Sequence, residues 1–303
     1  MLRRTSVAAV FFVLFASACG GESSRSPGRS SSETASRFPV TLGKVVIEAR
    51  PERIVSLSPT ATEMLFAVGA GDQVVAVDDQ SDYPPEAPTT DLSAYEPNVE
   101  AIAGYEPDLV VASDGGALRS LKDLKIPLLV QPAAADFEDV YAQIEELGAA
   151  TGHEDEAAAE VERIRSRIDE IVSTVPASGE APTYYHELDD TYFTVTSDTF
   201  IGQVYALAGL SNIADEADKA GTGYPQLSAE YIIEADPDFV FLADSECCGQ
   251  TPERVSRRPG WDEITAVQRG AVFDVGDDVS SRWGPRVVDF LETVVEARTS
   301  VER

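Results

Sequence analysis

The residues from Glu100 to Asp114 recur 130 positions later as Glu230 to Asp244. In both copies a Glu opens the segment, a Pro-Asp pair follows (Pro107-Asp108 and Pro237-Asp238), an apolar run comes next and an Asp closes it. A looser echo links Glu63–Gly69 with Gln203–Gly209. Self-similarity at a fixed offset is the signature of a duplicated structural unit. Each copy reads as a helix leading into a strand, so the chain should hold two equivalent lobes. A cleft between such lobes is where ligands commonly bind.

The pattern around the repeat is strand alternating with helix. Arg53–Ser58 reads as a buried strand, Met64–Val68 as a helix ending at Gly69, and Val74–Val77 as a second strand. Asn98–Tyr105 reads as a short helix, Leu109–Ala112 as a strand, Leu118–Leu124 as a helix and Pro127–Val130 as a strand. Short, nearly continuous apolar strands between helices predict a parallel sheet covered on both faces. Asp136–Thr151 and Glu154–Val175 are then helical, the second with apolar residues at Ala157, Val161, Ile164, Ile168 and Ile171. At ~1.5 Å per residue this second helix spans roughly 33 Å. Strands resume at Thr183. The expectation is an α/β protein of two Rossmann-like lobes with parallel sheets: residues 38–152, a joining helix over 153–176, and residues 177–303.

Ahead of the lobes, Arg3-Arg4, an apolar run from Val7 to Phe15 and Ala16-Ser17-Ala18 lead into Cys19. A basic start, a short apolar core and small residues before a cleavage point describe a secretory signal over residues 1–18. The apolar run is well short of the ~20 residues needed to span a bilayer. Small residues directly before Cys19 resemble a lipobox, although position −3 is Ala16 rather than Leu. The following stretch, to residue 37, is rich in Gly and Ser and reads as a flexible tether. The net charge of −30 argues against a nucleic-acid partner and against general adhesion to anionic lipid. The remaining cysteines, Cys247 and Cys248, are adjacent; outside the cytosol they could form a vicinal disulfide, with free thiols or a soft metal site the alternatives, although two cysteines alone are too few ligands.

Several segments together resemble the cobalamin- and ferric-siderophore-binding proteins of ABC importers. They are Arg53-Ile-Val-Ser-Leu-Ser-Pro59-Thr-Ala-Thr-Glu63, Ser81-Asp82-Tyr83-Pro84-Pro85, Asn98-Val-Glu100, Tyr224-Pro225-Gln226-Leu-Ser228-Ala-Glu230 and Arg282-Trp-Gly-Pro285-Arg286. The resemblance implies a receptor with modest hinge motion that hands its ligand to a membrane permease and a separate ATPase. It also implies that Glu100 and Glu230 dock onto arginines of the two permease subunits. Each Glu also lies two residues after a candidate N-cap, Asn98 or Ser228, where an acid suits the helix dipole.

For the ligand, the resemblance points to Tyr95, Phe193 and Tyr224 as pocket aromatics and to Asp278 and Arg282 as a polar pair beside them. Glu187 and Gln80 stand at two further pocket positions that are aromatic in the cobalamin binder. Aromatic residues suit flat, bulky ligands, and Arg282 suits the oxygens of an anionic chelate. The implied cargo is a corrinoid or ferric siderophore. Haem, an oxyanion, or a surface sensor without transport are the alternatives.

His186-Glu187 has no second histidine at zinc-protease spacing, and the chain's only other histidine is His153. No nucleophile elbow, phosphate loop or dinucleotide fingerprint is present. The expectation is a monomeric, non-enzymatic receptor with no resident metal or cofactor.

Overall fold

The structure is a computed structural model that describes residues 37–176 and 179–301. The expected signal segment, Cys19 and most of the tether lie outside the described residues. Among the described residues no helix is long and apolar enough to cross a membrane.

Two strands, β1 (Val40–Leu42) and β2 (Val45–Ile47), form an antiparallel hairpin. The first sheet contains β3 (Ile54–Leu57), β4 (Val74–Val77), β5 (Leu109–Ala112) and β6 (Leu128–Val130) in the order β4-β3-β5-β6. The second contains β7 (Thr183–Glu187), β8 (Ser211–Asn212), β9 (Phe239–Leu242) and β10 (Val272–Asp274) in the order β8-β7-β9-β10. Every pairing within the two sheets is parallel. Taken in chain order, both sheets run second-first-third-fourth, so the duplicated sequence folds into duplicated topology.

Helices cover both faces. In the first half α1 (Pro59–Ala67), α2 (Val99–Ala103) and α3 (Phe137–Thr151) precede α4 (Glu154–Val172). The second half carries α5 (Phe200–Leu207), α6 (Ala229–Ala235), α7 (Ser245–Cys248), α8 (Pro252–Val255), α9 (Thr265–Gln268), α10 (Asp277–Ser281) and α11 (Val287–Val301). The long helix α4 buries Ala157, Val161, Ile164, Ile168 and Ile171. It packs against α3 of the first half and α11 of the second. It ends at Val172, giving about 29 Å rather than 33 Å.

Two other expectations shift. The first helix starts at Pro59, before Met64, because the Ser58 hydroxyl accepts from the Ala61 amide at 3.3 Å and proline suits the first helical position. The helix expected at Leu118–Leu124 is a single 3-10 turn, Arg119–Lys122.

The repeat has a physical meaning that its pattern alone did not reveal. Asp108 accepts from the Arg53 amide at 3.0 Å, just ahead of β3. Its counterpart Asp238 accepts from the Thr183 amide at 2.9 Å, at the start of β7. Each aspartate therefore ties the entry of one central strand to that of its neighbour. The residues just before, Glu106 and Asp236, share the left-handed backbone at φ 49° and 46°. This backbone turns the chain out of its helix and into the Pro-Asp step.

One apolar core runs through the second lobe, along α4 and onto one face of the first sheet. The other face of the first sheet has a separate core built on Val55, Leu57, Ile102, Val110 and Leu121.

Candidate functional site

In open parallel sheets, ligands bind beyond the carboxyl ends of the strands, where the strand order reverses. That reversal lies between β3 and β5 in the first sheet and between β7 and β9 in the second. Among the described residues the exposed aromatic side chains are Tyr83, Tyr95, Phe193 and Tyr224, at 42%, 93%, 39% and 49% exposure. All four lie in segments that follow strand carboxyl ends: the first two after β4, Phe193 after β7 and Tyr224 after β8. Phe193 and Tyr224 are brought together by the backbone. Phe193 bridges to Gln226 antiparallel, and the Thr194 amide donates to the Pro225 carbonyl at 3.0 Å.

The polar pair forms as expected, with Arg282 and Asp278 at 2.6 Å, but it sits inside a larger cluster. Arg282, only 8% exposed, also donates to Glu63 and Asp82, both at 3.1 Å, and to the Gln80 carbonyl at 3.0 Å. Arg286 grips Glu63 through two hydrogen bonds of 2.9 and 2.5 Å and lies 4.1 Å over the Tyr83 ring. Glu63 belongs to α1 and both arginines follow α10, so this cluster clasps the lobes together. Burial raises the Asp278 pKa against the pull of Arg282, and the hydrogen bond to Glu63 raises that of Arg286. A ligand reaching Arg282 must displace Asp82 or Asp278 from it. Gln80 has an exposed side chain; its backbone carbonyl makes the contact to Arg282.

Glu63 was missing from the residues singled out by sequence. The looser repeat held the signal, because its counterpart Gln203 also crosses between lobes, donating to the Ala135 carbonyl at 2.6 Å.

Glu187, expected among the ligand contacts, is turned into the protein in this structure. It is fully buried at the end of β7, and both its oxygens accept from Arg258 at 2.6 Å. A second carboxyl, Asp244, lies beside it, fully buried and with no hydrogen-bond donor on either oxygen. Burial, followed by the Glu187 charge, pushes the Asp244 pKa up to about 7. The residue before Glu187 on β7, His186, is pushed down to about 3 by burial, with one ring nitrogen 2.8 Å from the Tyr205 hydroxyl.

Glu100 and Glu230 are both exposed and sit in the first turns of α2 and α6. The caps form: Asn98 accepts from the Glu100 and Ala101 amides, and Ser228 from the Tyr231 amide. Among the described residues no ion pair involves either glutamate. Cys247 and Cys248 are joined as a disulfide within α7. The Glu246 and Cys247 amides donate to Asp277 at 3.1 and 2.8 Å, which ties this staple to α10 and its Asp278.

A cavity of about 730 Å³ lies along the seam between α1, α4 and α11. Glu63, Phe66, Tyr83, Glu160, Arg163 and Arg286 are among its walls, whereas Tyr95, Phe193 and Tyr224 are not. It reaches the clasp through Glu63 and Arg286, and of the four exposed aromatics it takes in Tyr83. No group of three or more His, Cys, Asp or Glu among the described residues is placed to hold a metal.

Residues 54–279 match the periplasmic binding protein family. The chain belongs to it. An uncharacterised ABC transporter substrate-binding lipoprotein of Bacillus subtilis is 32% identical over 295 residues, covering 92% of this chain and 91% of the relative. A cobalamin-binding protein of Halobacterium salinarum is 32% identical over 285 residues, covering 88% and 75%. Among solved structures, a possible iron-binding periplasmic solute-binding protein of Staphylococcus epidermidis superposes with a TM-score of 0.72 at 26% identity, covering 82% of this chain and 99% of that one. The chain is thus an extracytoplasmic binding protein of the ABC-transporter type, a class that delivers ligands to permease partners.

Proposed function

We propose that this periplasmic binding protein is anchored by lipid at Cys19 and captures a corrinoid between its lobes for an ABC importer. The observation that carries this reading is the set of exposed aromatics, Tyr83, Tyr95, Phe193 and Tyr224, contributed by both lobes at strand carboxyl ends. Aromatic faces on both sides suit a large, flat ligand, and the clasp beneath them supplies charge for polar substituents. The cobalamin-binding relative supports the same cargo. Ferric siderophores are the neighbouring choice, since they would also use Arg282.

Glu100 and Glu230 are proposed as the permease contacts. They occupy equivalent positions on duplicated helices, so they can register on two related transmembrane subunits. Exposed charges of this kind fix orientation and encounter more than they add affinity.

Thermal unfolding with cyanocobalamin, a ferric hydroxamate and haemin tests the cargo. A ligand that binds only the folded state at 100 times its Kd adds about 2.7 kcal/mol, so cyanocobalamin should raise Tm by several degrees. A rise with haemin or the hydroxamate alone would replace the corrinoid assignment. Reversing both charges, Glu100→Arg with Glu230→Arg, should abolish uptake while leaving the Kd unchanged. Normal uptake by that variant would remove the docking role.

A further inference from the structure

Three of the four lysines of this acidic chain fall together; the fourth, Lys219, lies in the second lobe. Lys44, Lys122 and Lys125, with Arg119, line a single groove of about 430 Å³ on the first lobe, between the β1–β2 hairpin, the 3-10 turn and the start of β6. No carboxylate is among its lining residues, and none of the four cations forms an ion pair among the described residues. Elsewhere acids outnumber bases, 53 to 23 over the whole chain, so a groove with this charge and no acid is the exception.

Its walls are also apolar. Val46 and Leu128 line the groove; Val46 is 46% exposed, and Leu124, between Lys122 and Lys125, is 52% exposed. The exposed large hydrophobic residues therefore divide by chemistry. The aromatic ones follow the carboxyl ends of β4, β7 and β8, whereas Val46, Leu124 and Val130 belong to the hairpin, the turn region and the edge strand β6. Cations interleaved with exposed aliphatic side chains match an anionic amphiphile: headgroup phosphate against the ammonium and guanidinium groups, acyl chain against valine and leucine.

We infer that this groove is a docking surface for the anionic phospholipid headgroups of the membrane to which the protein is tethered. The inference rests on the lipid-anchored reading above. Lys44 is 25 positions beyond Cys19, in the first hairpin of the described chain, so anchoring holds the groove's own segment at high local lipid concentration. The chain's overall negative charge does not cancel the attraction. At physiological salt the Debye length is about 8 Å, so distant carboxylates are screened while groups at the contact are not. Juxtamembrane basic clusters bind anionic leaflets by this same balance. The cleft aromatics, the clasp, Glu100 and Glu230 are all absent from the groove, so membrane contact and ligand capture use separate surfaces.

The test uses the chain from residue 20 onward, which lacks Cys19 but keeps every described residue. It is co-sedimented with phosphatidylglycerol vesicles and with phosphatidylcholine vesicles at low and physiological salt. Binding to phosphatidylglycerol alone, weakening with salt, is expected. The triple variant Lys44→Glu, Lys122→Glu, Lys125→Glu should lose at least roughly tenfold in partitioning. The pair Val46→Ser, Leu124→Ser should weaken binding without changing charge. Unfolding curves matching the parent show that the variants are folded. Equal binding to both vesicle types, no loss in the triple variant, or saturation of the groove by millimolar inorganic phosphate would overturn the membrane surface. So would binding that appears only when the vesicles carry the permease. Cyanocobalamin binding, measured on the same variants, should be unchanged. Failure with cyanocobalamin and success with vesicles would refute the cargo alone; the reverse would refute the groove alone.

Discussion

The two lobes share strand order, repeat offset and strand-entry aspartates, yet they satisfy buried polarity in opposite ways. In the first lobe, beneath the strand ends, the buried network is mostly hydroxyl. Thr62 donates to Ser56 at 2.8 Å and lies 2.9 Å from Ser81, which donates to Asp78 at 2.8 Å. In the second lobe the corresponding region holds full charges: Glu187 gripped by Arg258, with Asp244 alongside and the Arg258 guanidinium 4.6 Å over Trp261. Losing one hydroxyl from such a network costs about 1 kcal/mol, and its single carboxyl, Asp78, keeps the Gln80 amide as a donor. A buried ion pair is different, since removing one partner strands the other without water. The duplicated backbone thus tolerates divergent interiors, and the second lobe should be the more sensitive to mutation and to pH.

The largest test of that contrast is Arg258→Met, which leaves two buried carboxyls without a cation. Denaturant unfolding at pH 8 should show a loss of about 3–5 kcal/mol. A loss below 1 kcal/mol would mean that the second lobe is no more charge-dependent than the first. Next comes the clasp. Glu63→Ala removes the carboxylate shared by Arg282 and Arg286 and should cost about 2–3 kcal/mol. It should also speed proteolysis at the seam between the lobes.

The pH dependence is smaller and has a definite sign. Asp244 titrates at about 7 when folded, against about 3.9 unfolded. Between those values the native state holds the extra proton, so stability falls as pH rises from about 4 to about 7. His186 works the other way. With a folded value of about 3 and an unfolded one near 6.5, its contribution is lost as pH falls through that window. The two slopes oppose each other up to about pH 6.5. Asp244→Asn should therefore gain about 1–2 kcal/mol at pH 8 relative to pH 4, read from melts across that range. An unchanged pH profile would show that Asp244 is ionised without penalty. Smallest of all, Gln203→Ala breaks the second lobe's neutral reach to Ala135 and should cost about 1 kcal/mol or less. A cost equal to that of Glu63→Ala would erase the asymmetry between the two crossings.

Much of this architecture was legible in the chain itself. The apolar runs at Ile54–Leu57, Val74–Val77 and Leu109–Ala112 are strands, because short β-branched stretches between helices have few other ways to bury both faces. The same holds for α4, whose buried face is the one its spacing marks out. Tyr95, Phe193 and Tyr224, taken from family resemblance, do emerge as exposed aromatics. What stayed hidden were residues whose roles are set by partners far along the chain. Glu187 is expected in the pocket because it stands at a pocket position of the resembled family; its burial is decided by Arg258, 71 positions away.

The sequence by itself determined the duplicated α/β lobes and the helix between them, since periodicity, caps and turn residues act over a few neighbouring positions. The family was carried by the resemblance of short motifs such as Arg53–Glu63 and Arg282–Arg286. Only the tertiary structure decided which charges are buried and paired. Glu63 meets Arg282 across 219 residues, and Lys44 shares a groove with Lys122 and Lys125. Coulombic and desolvation energies depend on distance in space and on the loss of water, and neither quantity is written in the order of residues.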